Sequence, residues 1–137
     1  MNIGAVRAAM AVKLDPIADV NVFEYAMASP TPPTIQILPP SVDYDLTMRR
    51  GFDVWTFVVQ AFVDFTDDFS SQRLLDDVCS PIGTTSVKAL LESDQTLGGT
   101  TATVLVTRHD FRGKVETAGG SPMLLVEFTV EVIAGGT

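Results

Sequence analysis

The sequence has very few of the residues that build metal, disulfide or nucleophilic sites. Cys79 is the only cysteine and His109 the only histidine among 137 residues. One cysteine excludes a disulfide within the chain and is typical of a protein from a reducing compartment. One histidine and one cysteine supply too few nitrogen and sulfur ligands for a zinc site. A Cys79–His109 catalytic pair stays open, although the helical pattern around Cys79 favours a buried structural thiol.

Basic residues are also scarce, since 9 Lys and Arg stand against 17 Asp and Glu, for a formal net charge of −8. Sequence-specific binding to nucleic acid is therefore disfavoured, because phosphate recognition requires a basic surface. No run approaches the ~20 consecutive apolar residues of a membrane-spanning helix. Arg7 and Lys13 interrupt the N-terminal segment before a signal-peptide core could form. We expect no membrane association and production in a cytoplasm.

Apolar residues, in contrast, are abundant. They make up 46% of the chain, and the mean hydropathy is +0.27. This composition excludes intrinsic disorder, and the length fits a single domain, 1–137. Such an apolar excess on a small acidic domain predicts that some apolar surface is covered by something other than the domain itself.

The first segment has the periodicity of an amphipathic helix. Ile3, Val6, Met10 and Leu14 recur at spacings of three and four, which predicts an N-terminal helix over residues 1–15.

A proline-rich segment follows at residues 30–40, which hold five of the eight prolines around Ile35 and Ile37. Because prolines confine a strand to the edge of a sheet, we predict a short edge strand here. A PxxP-type ligand is the alternative, since such segments pre-form an extended helix.

Residues 51–65 carry the strongest local pattern in the chain. One face of this segment is wholly apolar, from Trp55 to Phe65, and the other is half apolar, with Thr56 and Gln60 among its members. The pattern predicts a long central strand covered on both sides, too long for so small a domain to cover end to end.

The rest of the chain predicts two short helices and two strands. A cleanly alternating pattern, with Val126 and Phe128 on one side and Glu127 on the other, marks the last strand. Between the two strands, residues 110–122 are predicted as a mobile loop, and residues 134–137 as a frayed tail. The whole order predicts an α+β fold. Its sheet is mainly antiparallel or mixed, with the N-terminal helix and the two short helices packed on one face.

The sequence pattern indicates no catalytic residue, cofactor site or metal site. Adjacent carboxylates such as Asp67 with Asp68 and Asp76 with Asp77 could act as acid and base. The first pair, however, is explained by the favourable charge at a helix N-terminus, and the second by a solvent-facing position. No phosphate-binding glycine loop and no nucleophile elbow is present. We predict a protein that is not an enzyme.

Residues 83–99, GTTSVKALLESDQTLGG, carry a resemblance to a known class of proteins. A G-x-x-S-V helix followed by D-x-T-L-G-G before a strand and a final hairpin is similar to the pattern of tail-terminator and head-to-tail connector proteins. These belong to long-tailed, siphovirus-type bacteriophages, especially those of actinobacteria. Arg50-Gly51-Phe52 before the long strand and Pro32-Pro33 before the short one fit the same pattern.

The resemblance implies a structural virion protein at the tail–neck junction. Such proteins form a ring, usually of six copies, on the head-proximal end of the tail tube, stop tube polymerisation and join the tail to the capsid neck. Expected partners are further copies of the chain, the tail tube protein and the neck connector proteins. DNA is expected to pass through the ring without sequence-specific binding, which suits the charge of −8. A neighbouring connector or head-completion protein, or a monomeric binding module, are the alternatives.

Three groups of residues are the candidates for contact with a neighbouring subunit or partner. In the 110–122 loop, Phe111 would be an apolar anchor, and Arg112, Lys114 and Glu116 would supply complementary charges. A disordered hairpin tip is the alternative interpretation of this loop. The basic pair Arg49 and Arg50 is the second candidate, and Ile35 with Ile37 of the edge strand is the third.

Overall fold

The computed structural model describes residues 3–17, 20–26, 33–43, 52–65, 69–94, 96–97, 103–116 and 122–135. The elements in chain order are α1 (Ile3–Leu14), β1 (Asn21–Phe23), β2 (Thr34–Ile37), β3 (Ser41–Asp43), β4 (Phe52–Asp64), α2 (Ser70–Cys79), α3 (Val87–Glu92), β5 (Thr103–Glu116) and β6 (Pro122–Gly135). The predicted α+β class is confirmed.

The strands of the described residues form one mixed, six-stranded sheet in the order β1-β2-β4-β6-β5. β1 runs parallel to β2, and the other pairings are antiparallel. β3 pairs with β4 along the same side as β2, at Val54 to Thr56. The predicted long strand is therefore the centre of the sheet, as its two-sided apolar pattern indicated.

The core lies on one face of the sheet, beneath the three helices of the described chain. Alternate residues of β4, such as Phe57 and Val59, pair with Val130 and Phe128 of β6, and all four are almost fully buried. The helical stripe predicted for residues 1–15 packs there, since Val6, Met10 and Leu14 are 0% exposed. Helices lie on one face, as predicted.

The second face of the sheet carries no helix of the described residues, so the expectation of full cover on both sides of β4 holds only in part. Val54, Thr56, Val58 and Gln60 are half-buried there. At the far end, a smaller apolar cluster does form, from Phe62, Met123 and Leu125 with Val115 against it.

Arg7 is a charged residue on the buried side of α1. It is 7% exposed, and its guanidinium donates to the carbonyl oxygens of Glu24 (2.9 Å) and Ile37 (2.7 Å) while lying 4.5 Å from the ring centre of Tyr25. The side chain thus ties α1 to the ends of β1 and β2.

The predicted mobile loop over residues 110–122 is wrong for its first half. β5 continues through Glu116 and pairs with β6 as far as Pro122. Polar residues occupy this half because it belongs to the outermost strand of the sheet, whose free edge meets water. Residues 117–121 lie outside the described residues.

Two other segment predictions also need correction. Ile35 does not lie at the sheet edge, because β1 pairs alongside β2 from Thr34 to Gln36. Ile35 and Ile37 are also no exposed contact residues, since they are 1% and 0% exposed in the core. The predicted tail over residues 134–137 is wrong at its start, since β6 runs to Gly135 opposite Phe52 of the long β4.

Candidate interaction surface

An open groove runs along the helix-covered face between α2 and the outer half of β5. Two adjoining cavities of about 340 and 260 Å³ form it, and both are lined by Cys79 and His109. Leu124 and Phe128 form the apolar floor of the groove. Phe111, which is 59% exposed, forms part of its wall. We call this feature the α2–β5 groove.

Cys79 and His109, far apart in sequence, thus line the same groove, but the thiol is not activated. Burial, with a smaller contribution from the charge of Asp76, raises the pKa of Cys79 to about 11. A nucleophilic cysteine requires a lowered pKa, because the thiolate is the reactive form. The His109 ring instead packs against Phe128, with 5.8 Å between the ring centres. The groove is therefore a mainly apolar surface in which Cys79 is not an activated nucleophile.

The outer edge of β5 is closed to another strand at Val106. The Glu92 carboxylate accepts a hydrogen bond from the Val106 N–H at 2.8 Å, and the Lys88 ammonium donates to the Val106 carbonyl oxygen at 3.2 Å. Lys88 and Glu92 also pair with each other at 2.7 Å. Burial alone would raise the pKa of Glu92, but the hydrogen bonds from Lys88 and Val106 outweigh it and lower that pKa.

Irregularities further along β5 obstruct strand addition as well. The register with β6 shifts between Val106 and Arg108 and again between Phe111 and Gly113. Gly113 has φ +90°, a conformation that L side chains rarely adopt. Bulges and edge cations are the means by which proteins block edge-to-edge pairing. The contacts that this edge offers are therefore made by side chains.

A ladder of polar side chains crosses the second face of the sheet. Gln36 donates to Gln60 at 2.8 Å, and Gln60 donates to Glu127 at 2.8 Å. Arg112, at the second bulge of β5, donates to the other oxygen of Glu127 at 2.5 Å. Four strands are thereby joined through side chains, from 4%-exposed Gln36 to exposed Arg112.

The outer end of this ladder is an ion-pair cluster. Arg108 lies 2.7 Å and Arg112 3.9 Å from the carboxylate of Asp110. The hydrogen bond from Arg108 is the main cause that lowers the pKa of Asp110, and the bond to Glu127 raises the pKa of Arg112. Exposed pairs of this kind add little stability but fix side-chain positions.

The predicted contact residues of the 110–122 segment divide between the two sides of the hairpin. Phe111 faces the groove, whereas Arg112 faces the polar ladder. The Lys114 ammonium lies 5.5 Å from the ring centre of Phe65, and Glu116 ends β5 opposite Pro122. Arg49 and Arg50 lie outside the described residues.

Sequence reasoning did not find Gln36 and Gln60 as partners, nor the wall of the groove that α2 supplies. The signal for the glutamines was present, since each is a polar residue within an apolar strand. Which strands would place them side by side depends on the order β2-β4-β6, which periodicity does not determine.

Within the described ranges, no three His, Cys, Asp or Glu side chains come together as metal ligands. None of the helices described is long and apolar enough to cross a membrane. No protein-family model and no curated protein sequence matches this chain.

Proposed function

We propose that this chain is a structural subunit of a ring at the head-proximal end of a long-tailed phage tail. The ring ends tube polymerisation and joins the tail to the capsid neck. The resemblance of residues 83–99 and the α+β order of elements support this proposal. The proposal assigns the chain no catalytic residue, no cofactor and no metal.

The observation that carries the proposal is the α2–β5 groove. An exposed apolar groove of this size, with Phe111 59% exposed in its wall, is suited to a protein side chain or helix. The groove would also account for part of the apolar surface that the composition predicts to be covered by another protein. Since the adjoining strand edge is blocked at Val106, the partner packs by side chains and does not extend the sheet.

The charge of the chain is compatible with a position around DNA. With 17 acidic against 9 basic residues, a ring of copies would repel phosphates, and the genome would slide through without adhering. A channel wall lined mainly by Arg and Lys would contradict this part of the proposal.

Deletion of the gene, followed by electron microscopy of the particles, tests the proposal. A terminator predicts overlong tails, because tube growth is no longer stopped. Tails of normal length that stay unattached to capsids would instead indicate the neighbouring connector role. Particles indistinguishable from the parent would contradict both roles and favour the monomeric binding module. Complementation with the intact gene controls for effects on neighbouring genes.

A further inference from the structure

The two halves of β5 are held in the sheet in different ways. In the inner half, Val104 and Val106 are 0% and 7% exposed, and α3 packs on this half. No residue of β5 beyond Val106 is buried. An open groove, and not packed side chains, separates this outer half, residues 107–116, from α2. A segment with few buried apolar contacts is one that opens at low cost in free energy.

The boundary between the two halves lies at Val106. Glu92 accepts the Val106 N–H at 2.8 Å and Lys88 donates to the Val106 carbonyl oxygen at 3.2 Å, so α3 holds the backbone at this residue. The first register shift with β6 follows directly, between Val106 and Arg108. A bulge disrupts the hydrogen-bond ladder locally. The outer half can therefore lose its pairing while the inner half keeps its own.

Side-chain contacts between the outer half and the rest of the sheet are weak. In the Arg112–Glu127 ion pair, at 2.5 Å, the arginine side chain is 55% exposed, and exposed pairs add little stability. A second register shift precedes Gly113, which has φ +90°. Val115, which packs against the smaller apolar cluster of the second face, is itself only half-buried. This half therefore costs less to open than a strand with a buried row of side chains.

The strand next to this outer half is, in contrast, strongly apolar. Residues 123–126 of β6, which pair with the outer half of β5, are at most 8% exposed. The ring of His109 lies 5.8 Å from that of Phe128, which forms part of the groove floor. An uncovered edge of this kind would present free backbone groups beside apolar side chains, which is a site for the addition of another strand. The polar outer half of β5 therefore covers an apolar strand.

We propose that the outer half of β5 is a strap that opens from β6 as a unit while the rest of the fold stays intact. Val106 is the hinge, and α3 holds it in place through Glu92 and Lys88. The closed strap covers the edge of β6. When the strap opens, this edge and the floor of the α2–β5 groove become accessible together. This inference goes beyond the proposed ring function and does not depend on it.

Native-state hydrogen exchange of the full chain, followed by NMR at low denaturant concentrations, tests the strap. The comparison is restricted to amides that donate across the β5–β6 pair, because outward-facing edge amides exchange freely in any case. We expect protection factors at least about tenfold lower in the pairs of residues 108–116 than in the pairs of residues 103–106. Exchange in the outer pairs should depend only weakly on denaturant, since a local opening exposes little surface.

Two results overturn the strap. One is equal protection in both halves with the denaturant dependence of global unfolding, which would show that β5 opens only with the whole domain. The other is a gradual decrease in protection toward Glu116 without a step at Val106, which would show simple fraying. The tail lengths after gene deletion decide the ring function separately.

Two variants test the latch and the hinge. Arg112→Gln should lower protection in the outer half by about threefold, as for the loss of an exposed ion pair, and leave the inner half unchanged. Arg73→Gln, at an exposed position of α2, is the charge-matched control and should change neither half. Glu92→Ala should extend the opening past Val106, so that the inner pairs also exchange with weak denaturant dependence. Inner pairs that still exchange only by global unfolding in Glu92→Ala would overturn the hinge.

Discussion

The carboxylate of Glu92, at the end of α3, accepts the backbone N–H of Val106 in β5 at 2.8 Å. Lys88, one helical turn before Glu92, donates to the Val106 carbonyl oxygen. The two side chains thus occupy the hydrogen-bonding positions that a further strand would use. The pair docks α3 on the sheet and blocks its outer edge at Val106.

Replacing Glu92 should destabilise the chain and open this edge. We expect Glu92→Ala to lower the free energy of unfolding by about 1–2 kcal/mol, because a charged acceptor of a half-buried N–H is lost. Aggregation should increase as well, since Val106 becomes available to another strand. Urea denaturation and light scattering measure the two effects. Asp64→Ala, an exposed acid at the end of β4, is the control and should change neither.

The same carboxylate should make stability depend on pH in the acid range. The folded state lowers the pKa of Glu92 below its ordinary value of 4.5, so the folded state binds this proton less readily than the unfolded state does. Its contribution is therefore complete above the ordinary pKa and is lost as pH falls through the lowered folded value. In Glu92→Gln, the acid-range loss of stability should be smaller. A pH profile parallel to that of the parent would contradict the assignment.

The glutamine pair on the second face should behave as a coupled unit. Gln60→Met removes the acceptor of the nearly buried Gln36 amide and the donor to Glu127, and should cost about 1–2 kcal/mol. The double variant with Gln36→Met should cost less than the sum of the two single changes. The reason is that it no longer contains a Gln36 amide that has lost its hydrogen bond to Gln60. Chemical denaturation of the four chains gives the coupling. Strict additivity would show that the contact contributes nothing.

Arg7 should be the costliest single charge to remove from α1. Arg7→Met keeps much of the apolar stem but leaves the carbonyl oxygens of Glu24 and Ile37 without this donor. We expect a loss of about 2–3 kcal/mol in the free energy of unfolding, as for charged hydrogen bonds in a nearly buried site. Lys13→Met, whose ammonium lies 4.0 Å from Asp94 at a partly exposed position, should change it by less than about 0.5 kcal/mol. Equal effects of Arg7→Met and Lys13→Met would contradict a stabilising role for the Arg7 hydrogen bonds.

The elements with regular apolar periodicity could be predicted from the sequence. Three elements lie where the pattern indicated: the helical stripe of Val6, Met10 and Leu14, the long strand β4 and the alternating strand β6. Burial on one face requires apolar residues at the period of the helix or strand, so such elements can be recognised from residue spacing. The outer half of β5 could not be predicted. Its residues are exposed on an edge strand with two register shifts, so they carry no periodic signal.

The candidate surface was predictable only in part. Phe111 stands out in sequence as an apolar residue among polar neighbours, and it does line the groove. The groove itself joins α2 to β5, and the ladder joins β2 to β5 through Gln36, Gln60 and Glu127. Both depend on strand order, and strand order is set by tertiary packing beyond the range of any local pattern.

Imaging of the tail–neck junction of the assembled particle at side-chain resolution is the decisive experiment for the ring proposal. We expect a closed ring of this chain at the head-proximal end of the tube, with the α2–β5 groove at a contact with a neighbouring protein. A ring of this chain in which the α2–β5 groove stays uncovered would contradict the role proposed for the groove alone. A different chain at that position, or this chain placed elsewhere as a single copy, would contradict the proposed function.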